Sequence, residues 1–188
     1  MMSESLDDFC RPELAKQRTN KRFEYPTNNV FKGKPFFSGF NWPKELIKLH
    51  IRKVLLLIPD NIKRFEVLKT CVEYGFELVS AIHPSVQIMN QALIEPGVWI
   101  NSGAFIGYKA EIKSGALINT RAIVEHHNIL NCCCQLDPAV VTAGNVTIGE
   151  CAHIHMGALI ANRKNVGADA IVGAGAVVLS DVPPKLTV

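Results

Sequence analysis

The second half of the sequence carries residues that could do acid–base chemistry. His126 and His127 are consecutive, and histidine is the side chain that most readily exchanges a proton near neutral pH. Glu125 precedes them, and Gly144 follows later in the chain. The N–H of a glycine is unencumbered by a side chain, so it can donate to a developing negative oxygen. Whether these residues meet depends on the elements that hold them.

The composition describes an ordinary folded domain. The chain has 188 residues, 48% of them hydrophobic and 20% charged, which is enough to bury a core. Its 20 basic and 17 acidic residues give a net charge of +3, too balanced for a nucleic-acid or membrane surface. No apolar run reaches the ~18 residues of a membrane span, and the polar N-terminus does not resemble a secretory signal. The six cysteines lack the spacing of a disulfide framework, which favours a cytoplasmic location.

A six-residue repeat fills the region that carries these histidines. Every sixth residue from Ile82 to Val178 is aliphatic, with Thr142 as the single exception. The residues two positions earlier are mostly small and apolar, as in Ala92, Val98, Ala104, Ala110, Ala116, Ala122, Cys134, Val140, Val146, Ala152, Ala158 and Ala170. A helix needs apolar residues every three to four positions, and this pattern does not follow that period. One large and one small inward residue in every six indicate a parallel β-helix.

The repeat resembles the hexapeptide-repeat acyltransferases, whose left-handed β-helix is a triangular prism with three repeats in each coil. This resemblance implies a mainly β fold, with the left-handed parallel β-helix at residues 83–188. A prism with flat faces and open ends is expected to associate, and members of the family form homotrimers with active sites between chains.

In the first half of the chain, the sequence predicts short helices and strands in place of the six-residue repeat. Residues 1–29 are polar and aperiodic, so we expect an N-terminal arm, and residues 30–82 predict a small α/β domain that resembles a truncated acceptor-binding domain. The predicted elements are strands at Asn29–Phe37, Val54–Ile58 and Glu77–Ile82, a short helix at Pro43–Leu49, and a helix from Asp60 or Asn61 to Tyr74 that stops at Gly75. The apolar face of this last helix is predicted to hold Ile62, Phe65, Leu68 and Val72.

Three segments make the family resemblance more specific. They are IHPSV at Ile82–Val86, INTRAIVEHHNI at Ile118–Ile129 and AGNVTIG at Ala143–Gly149. In this order, after a β-α-β segment, they resemble the sugar O- and N-acetyltransferases, among them sialic acid O-acetyltransferases and bacterial nucleotide-amino-sugar N-acetyltransferases. The resemblance covers roughly residues 30–188. It implies transfer of an acetyl group from acetyl-CoA to the amine or hydroxyl of a sugar, and no residue decides between these acceptors.

His126 and Gly144 match the catalytic positions of that family. They are separated by three repeats, which is one coil, and equivalent residues of neighbouring coils stack about 4.8 Å apart, so Gly144 is expected beside His126. The resemblance implies that His126 is the general base and that the N–H of Gly144 binds the thioester carbonyl. Met156 and Ala174 match positions that line the coenzyme A groove, although ordinary surface packing explains them equally well.

Two residues depart from the family pattern. The family has Asp or Glu directly after the base, and this chain has His127 as its catalytic candidate there. Gln135 replaces a histidine that contacts the acetyl group, although its amide can still donate a hydrogen bond to the cofactor. Glu125 could substitute for the missing carboxylate and is assigned to the acceptor sugar together with Asn119, whose alternative role is that of a corner residue.

These departures leave other functions open. Relatives that hold nucleotide sugars carry a Gly-rich loop in an earlier βαβ unit, and here Pro59 stands where a glycine often precedes Asp60. Relatives also usually continue beyond VPPKLTV into a last strand and helix, so we expect a trimmed end. The alternatives are a catalytically impaired trimeric scaffold or binding protein, and an acyltransferase with a non-sugar acceptor.

For the remaining cysteines and histidines the sequence predicts structural roles. Cys134 lies in the small inward column and is expected in the core, whereas Cys132 and Cys133 are expected at an exposed corner. No metal site is expected, because the histidines do not have the spacing of the three-histidine cages of β-helical carbonic anhydrases; those considered are His126, His127, His153 and His155. Asp137 and His155 are one coil apart and are expected to stack as an ion pair.

Overall fold

The six-residue repeats form a left-handed parallel β-helix of about five coils. In this computed structural model, which describes the backbone of residues 30–31 and 34–35 and all of residues 41–188, each repeat contributes a two-residue strand. Strands separated by three repeats pair in parallel, as Glu111 does with Ile129. The predicted fold class is therefore confirmed.

The strands stack into three faces, which we call the first, second and third face. The first face contains Leu93–Ile94, Glu111–Ile112, Ile129–Leu130, Thr147–Ile148 and Asn165–Val166. The second contains Ala81–Ile82, Trp99–Ile100, Leu117–Ile118, Gln135–Leu136, His153–Ile154 and Ile171–Val172. The third contains Gln87–Ile88, Phe105–Ile106, Ile123–Val124, Val141–Thr142, Leu159–Ile160 and Val177–Val178.

Two columns of inward residues fill the interior of the prism, as predicted. The large column holds every sixth residue from Ile82, and the small column holds the residues two positions earlier. The large aliphatic residues and the small residues beside them are buried together, and Cys134 is fully buried among them as predicted. Thr142 is the polar exception in the large column, and Asn128 occupies the small column of the preceding coil. Asn128 Nδ2 donates to Thr142 Oγ1 at 2.7 Å, so the two buried polar groups satisfy each other.

Two compact units make up the chain, Met1–Glu45 and Leu46–Val188. In the first, Val30–Phe31 pairs with Lys34–Pro35 in antiparallel fashion, within the strand predicted at Asn29–Phe37. The predicted arm at residues 1–29 lies outside the described residues, and the predicted division at residue 82 stays a prediction.

Two helices and a pair of short strands precede the prism. The helices are Trp42–Lys48 and Asn61–Glu73, close to their predicted bounds, and Lys53–Val54 pairs in parallel with Glu77–Leu78. The predicted strand Val54–Ile58 is wrong beyond Val54. The predicted strand Glu77–Ile82 is interrupted after Leu78, because Ala81–Ile82 leaves to pair with Trp99–Ile100 in the second face. Within residues 41–188 no helix is long and apolar enough to cross a lipid bilayer.

The long helix Asn61–Glu73 begins and ends as predicted, but only part of its predicted face is buried. Asp60 accepts a hydrogen bond from the backbone of Lys63 at 2.9 Å and caps the first turn. The predicted apolar face is wrong at Ile62 and Val72, which are 57% and 63% exposed, whereas Leu68 is buried as predicted. The buried residues of this helix are Asn61, Arg64, Leu68 and Cys71.

The reason for this orientation is the polar surface that the helix covers. The helix packs on the corner between the first and second faces, which we call the cysteine corner, formed by Gly97, Gly115, Cys133 and Cys151. Backbone carbonyls at this corner need donors. Arg64 Nε donates to Gly115 O at 2.8 Å, and Arg64 Nη2 donates to Cys133 O at 2.9 Å. Asn61 Nδ2 donates to Cys151 O at 3.1 Å.

The same packing corrects the prediction that Cys133 is exposed. Cys133 is fully buried, and a Cβ on Gly115 would overlap with Cys133 Sγ and Leu68 Cδ1. Burial raises the pKa of the Cys133 thiol to about 12, and it also raises the pKa of Cys132 and Cys134. The three thiols are therefore protonated near neutral pH and are poor nucleophiles.

Replacing Arg64 with methionine is expected to destabilise the fold strongly. The substitution keeps the length of the side chain but leaves buried carbonyls without their donor, which should cost about 2–4 kcal/mol in the free energy of unfolding. Urea denaturation followed by circular dichroism measures the change. The matched control is Lys63→Met at the exposed neighbouring position, which should change stability by less than about 0.5 kcal/mol. Equal losses in both variants would contradict this account of the corner.

Candidate functional site

His126 lies at the corner where the chain turns from the third face to the first. We call this the histidine corner; it contains His126 and His127 and, one coil further, Gly144 and Asn145. The His126 side chain is exposed, and a Cβ on Gly144 would overlap with its Cε1 and Nε2 atoms. The imidazole of His126 therefore lies against the Gly144 backbone, in space that only a glycine leaves free.

The backbone of this corner is held by hydrogen bonds between coils. Asn145 N donates to His126 O at 2.9 Å, and Arg163 N donates to Gly144 O at 3.0 Å. The N–H of Gly144, by contrast, donates to no residue among those described. A free backbone N–H beside an imidazole can stabilise an oxyanion while the imidazole handles a proton.

A buried polar pair beneath this corner was missed by the sequence analysis. Asn128 Oδ1 accepts the backbone N–H of Val146 at 2.7 Å, and Thr142 Oγ1 donates to Ile123 O at 3.2 Å. Together with the Asn128–Thr142 hydrogen bond, these contacts join the turn that carries His126 to the turn that carries Gly144. The signal was available, because Thr142 and Asn128 are both polar at inward positions of adjacent coils.

His127 occupies the left-handed position of the same turn, with φ of 58°. Its Nδ1 lies 3.1 Å from Nδ1 of His126, so one ring donates and the other accepts. The His127 ring also meets Tyr108 edge-on, with ring centroids 5.6 Å apart. His127 opens onto a groove of about 590 Å³ on the first face, which is also lined by Gln91, Leu93, Lys109, Glu111 and Ile129.

Glu125 does not substitute for the family carboxylate in this structure. Its backbone N–H donates to Thr142 O at 3.1 Å, but its side chain makes no hydrogen bond or ion pair within residues 41–188. His126 is therefore oriented by an imidazole rather than by a carboxylate.

The candidate cofactor residue Gln135 belongs to a second polar cluster, on and beside the second face. Its Nε2 donates to Asp137 Oδ1 at 2.7 Å. Asp137 Oδ2 lies 3.1 Å from His155 Nδ1, which confirms the predicted pair, and 3.0 Å from His153 Nε2, which the sequence analysis did not include. Burial acts to raise the pKa of Asp137, but hydrogen bonds from Gln135 and the two histidines bring it below its ordinary value. Burial lowers the pKa of His153 despite the nearby carboxylate.

The other candidates lie at the corner between the second and third faces. Met156 and Ala174 are exposed on neighbouring coils there, and we call this the methionine corner. The Asn119 side chain is hydrogen-bonded within its own corner. Its Oδ1 accepts hydrogen bonds from Asn101 Nδ2 at 2.9 Å and from Thr120 N at 2.8 Å. Within one chain the structure thus joins His126, His127 and Gly144, and places the other cofactor candidates, Gln135, Met156 and Ala174, elsewhere on the prism.

Comparison with solved structures places this arrangement in a family. PerB from Caulobacter crescentus, in complex with CoA and GDP-perosamine, is 33% identical over 86% of this chain and 78% of PerB, with a TM-score of 0.79. The acetyltransferase domain of PglB from Neisseria gonorrhoeae, in complex with acetyl coenzyme A, is 26% identical over 87% of this chain and 80% of that domain, with a TM-score of 0.77.

No protein-family model matches the chain, and no curated protein sequence does. The structural relatives nevertheless combine substantial identity with high coverage of both chains. The chain therefore belongs to the hexapeptide-repeat acyltransferases, which confirms the family and the enzyme class predicted from its sequence.

Replacing Gly144 with alanine is expected to displace the His126 ring without unfolding the prism. The backbone of Gly144 is outside the left-handed region, so alanine meets only the imidazole, which can swing away. We expect acyl transfer to fall by about tenfold to a thousandfold while the melting temperature changes little. A chemical-shift change of the His126 ring in NMR spectra would report the displacement directly. Asn162→Ala, at the exposed position one coil further along the same corner, is the control and should leave both readouts unchanged.

Proposed function

We propose that this protein transfers the acetyl group of acetyl-CoA to the amino group of a sugar. The proposal rests on the two relatives described above, of which one is bound to CoA and an amino-sugar nucleotide and the other to acetyl-CoA. It also rests on a corner that offers an exposed imidazole and a free N–H side by side.

The chemistry follows from those two groups. The amine nitrogen attacks the thioester carbonyl carbon, and His126 takes the proton that the nitrogen loses. The N–H of Gly144 donates to the oxygen of the tetrahedral intermediate as its negative charge develops. When the C–S bond breaks, the CoA thiolate takes a proton from the imidazolium of His126, and the base is restored. The close approach of Gly144 to the His126 ring is the observation that carries this mechanism.

The cofactor candidates require a second copy of the chain to join this site. His126 and Gly144 lie at the histidine corner, whereas Met156 and Ala174 lie at the methionine corner of the same prism. A groove that brings both sets together forms when the histidine corner of one protomer lies beside the methionine corner of another. We therefore propose a homotrimer, in which each of three such contacts holds one site.

Exposed apolar side chains near the methionine corner fit such an assembly. Met156 is 59% exposed, and Val177 and Leu159 on the adjoining third face are 59% and 44% exposed. A single prism leaves this apolar surface in water, and contact with another chain removes it from water.

Light scattering at micromolar concentration tests the assembly. We expect a mass of three times the 20.7 kDa of one chain. Leu159→Glu combined with Val177→Glu should shift the mass towards one chain, because two charges would be buried at the interface. A wild-type protein that is monomeric under these conditions would contradict both the trimer and the shared site.

Replacing His126 with alanine tests the catalytic assignment. We expect kcat to fall by about 10²–10⁴-fold, because the proton acceptor is lost, while the Kd for acetyl-CoA stays nearly unchanged. Detection of released CoA thiol measures the first quantity, and calorimetry with acetyl-CoA measures the second. In the same experiments His127→Glu should preserve or increase the rate near neutral pH, since a carboxylate stabilises the imidazolium of His126. Unchanged turnover in His126→Ala would remove His126 from the mechanism.

The contact between His126 and His127 favours a second candidate function. A neutral imidazole orients its neighbour but does not stabilise a positive charge as a carboxylate does, and this pairing is what a relative without the transfer step could retain. A non-catalytic trimeric binding protein would bind acetyl-CoA in calorimetry without releasing thiol with any acceptor.

An acceptor screen distinguishes the remaining possibilities for the substrate. GDP-perosamine, free amino sugars, sugars with hydroxyl groups alone, and simple non-sugar amines are compared by thiol release in the presence of acetyl-CoA. Turnover confined to the amino sugars supports the proposed function. Turnover with hydroxyl-only sugars indicates O-acetylation, and turnover with the non-sugar amines alone would overturn the assignment of a sugar acceptor.

A further inference from the structure

Three side chains beside the second face converge on one point that the proposed mechanism does not use. Asp137 Oδ2 lies 3.0 Å from His153 Nε2 and 3.1 Å from His155 Nδ1, and the two imidazole rings are tilted by 41° with centroids 4.0 Å apart. The three atoms lie within 4.8 Å of one another. The cluster is half-buried, with Asp137 the most enclosed of its members.

These distances suit the ligands of a transition-metal ion. Zinc binds imidazole nitrogens at about 2.0–2.1 Å and carboxylate oxygens at about 2.0–2.2 Å, so two ligands of a tetrahedral site lie about 3.3 Å apart. The two nitrogen–oxygen distances in this cluster are close to that value. Two imidazoles and one carboxylate also form a ligand set that suits zinc and similar transition metals better than it suits magnesium or calcium.

The surroundings of Asp137 supply a second, independent observation. Gln135 is only 8% exposed, and its Nε2 donates to the other carboxylate oxygen of Asp137 at 2.7 Å. Such a hydrogen bond orients a metal-binding carboxylate from outside the coordination shell. Gln135 Oε1 is buried and accepts no hydrogen bond from any described residue. A metal-bound water is a donor of the kind that this oxygen lacks.

The cluster is accessible from solvent. The His155 side chain is 37% exposed, and His153 lines a cavity of about 230 Å³ between the second face and the start of the long helix.

We propose that Asp137, His153 and His155 form a binding site for one divalent transition-metal ion of the zinc class, with water in the fourth position and Gln135 orienting the carboxylate. The ion has no step in the acetyl transfer proposed above. That transfer is derived from His126 and Gly144 and uses none of these three side chains. A metal ion that binds the folded protein but not the unfolded chain increases the free energy of unfolding.

Competition between the chelator-treated full chain and a zinc-sensitive chelating dye tests the proposal. We expect one zinc ion per chain at micromolar zinc and a rise in melting temperature. Asp137→Asn removes the anionic ligand with little change of shape, and His155→Gln removes a ligand at the exposed rim. Each should weaken zinc binding at least about tenfold and abolish the rise in melting temperature. Visible absorption of bound cobalt reports the tetrahedral geometry of the same ligands.

The control is the double variant His126→Ala, His127→Ala, which removes the other adjacent pair of exposed imidazoles. It should bind zinc as the wild type does, and circular dichroism verifies that every variant is folded. Absence of binding by the wild type at micromolar zinc would overturn the proposal. It would equally be overturned if Asp137→Asn and His155→Gln bound zinc normally, or if zinc binding were lost only in the control variant. None of these outcomes depends on whether the chain transfers acetyl groups.

Discussion

The register of the parallel ladders, in which three repeats complete one coil, determines which side chains meet in this protein. Each strand pairs with its equivalent in the next coil, so outward residues at that spacing stack about 4.8 Å apart along a face or corner. The register also stacks large inward residues on large ones and small inward residues on small ones, and the packing of the core depends on this. The two polar clusters depend on it as well: Gly144 lies beside His126, and His155 lies beside Asp137, because each pair is one coil apart.

The register also explains which parts of the structure could be predicted from the sequence. Every coil presents the same inward environment, so a parallel β-helix and the burial of Cys134 follow from the pattern, whereas the left-handedness is implied by the family resemblance. His153 is not the one-coil equivalent of Asp137, so its contact with that carboxylate does not follow from the spacing. The burial of Arg64 on the long helix was unpredictable for another reason. An apolar pattern indicates a helix face that packs on side chains, whereas Arg64 packs on the backbone carbonyls of a corner.

The carboxylate and the imidazoles of the described residues are divided between the two proposed sites. Among the described residues, the histidines paired with a carboxylate are His153 and His155, and the histidine beside Gly144 is paired with His127 instead. A carboxylate partner raises the affinity of an imidazole for protons and for metal ions alike. An imidazole partner does neither, but it preserves orientation. The proposed base is therefore oriented without added charge, and the negative charge lies at the cluster on the second face.

The helix that precedes the prism connects to this second cluster through the backbone. Asn61 donates to the carbonyls of Cys151 and Ala152, the two residues directly before His153, at 3.1 and 3.3 Å. Arg64 donates at 2.9 Å to the carbonyl of Cys133, which lies shortly before Gln135 in the chain. The start of the long helix thus fixes the cysteine corner from which both strands of the cluster begin. Arg64 and Asn61 satisfy the free carbonyls of this corner, so the hydrogen bonds that attach the helix act on the backbone just before Gln135 and His153, while the parallel ladder pairs these two residues with each other.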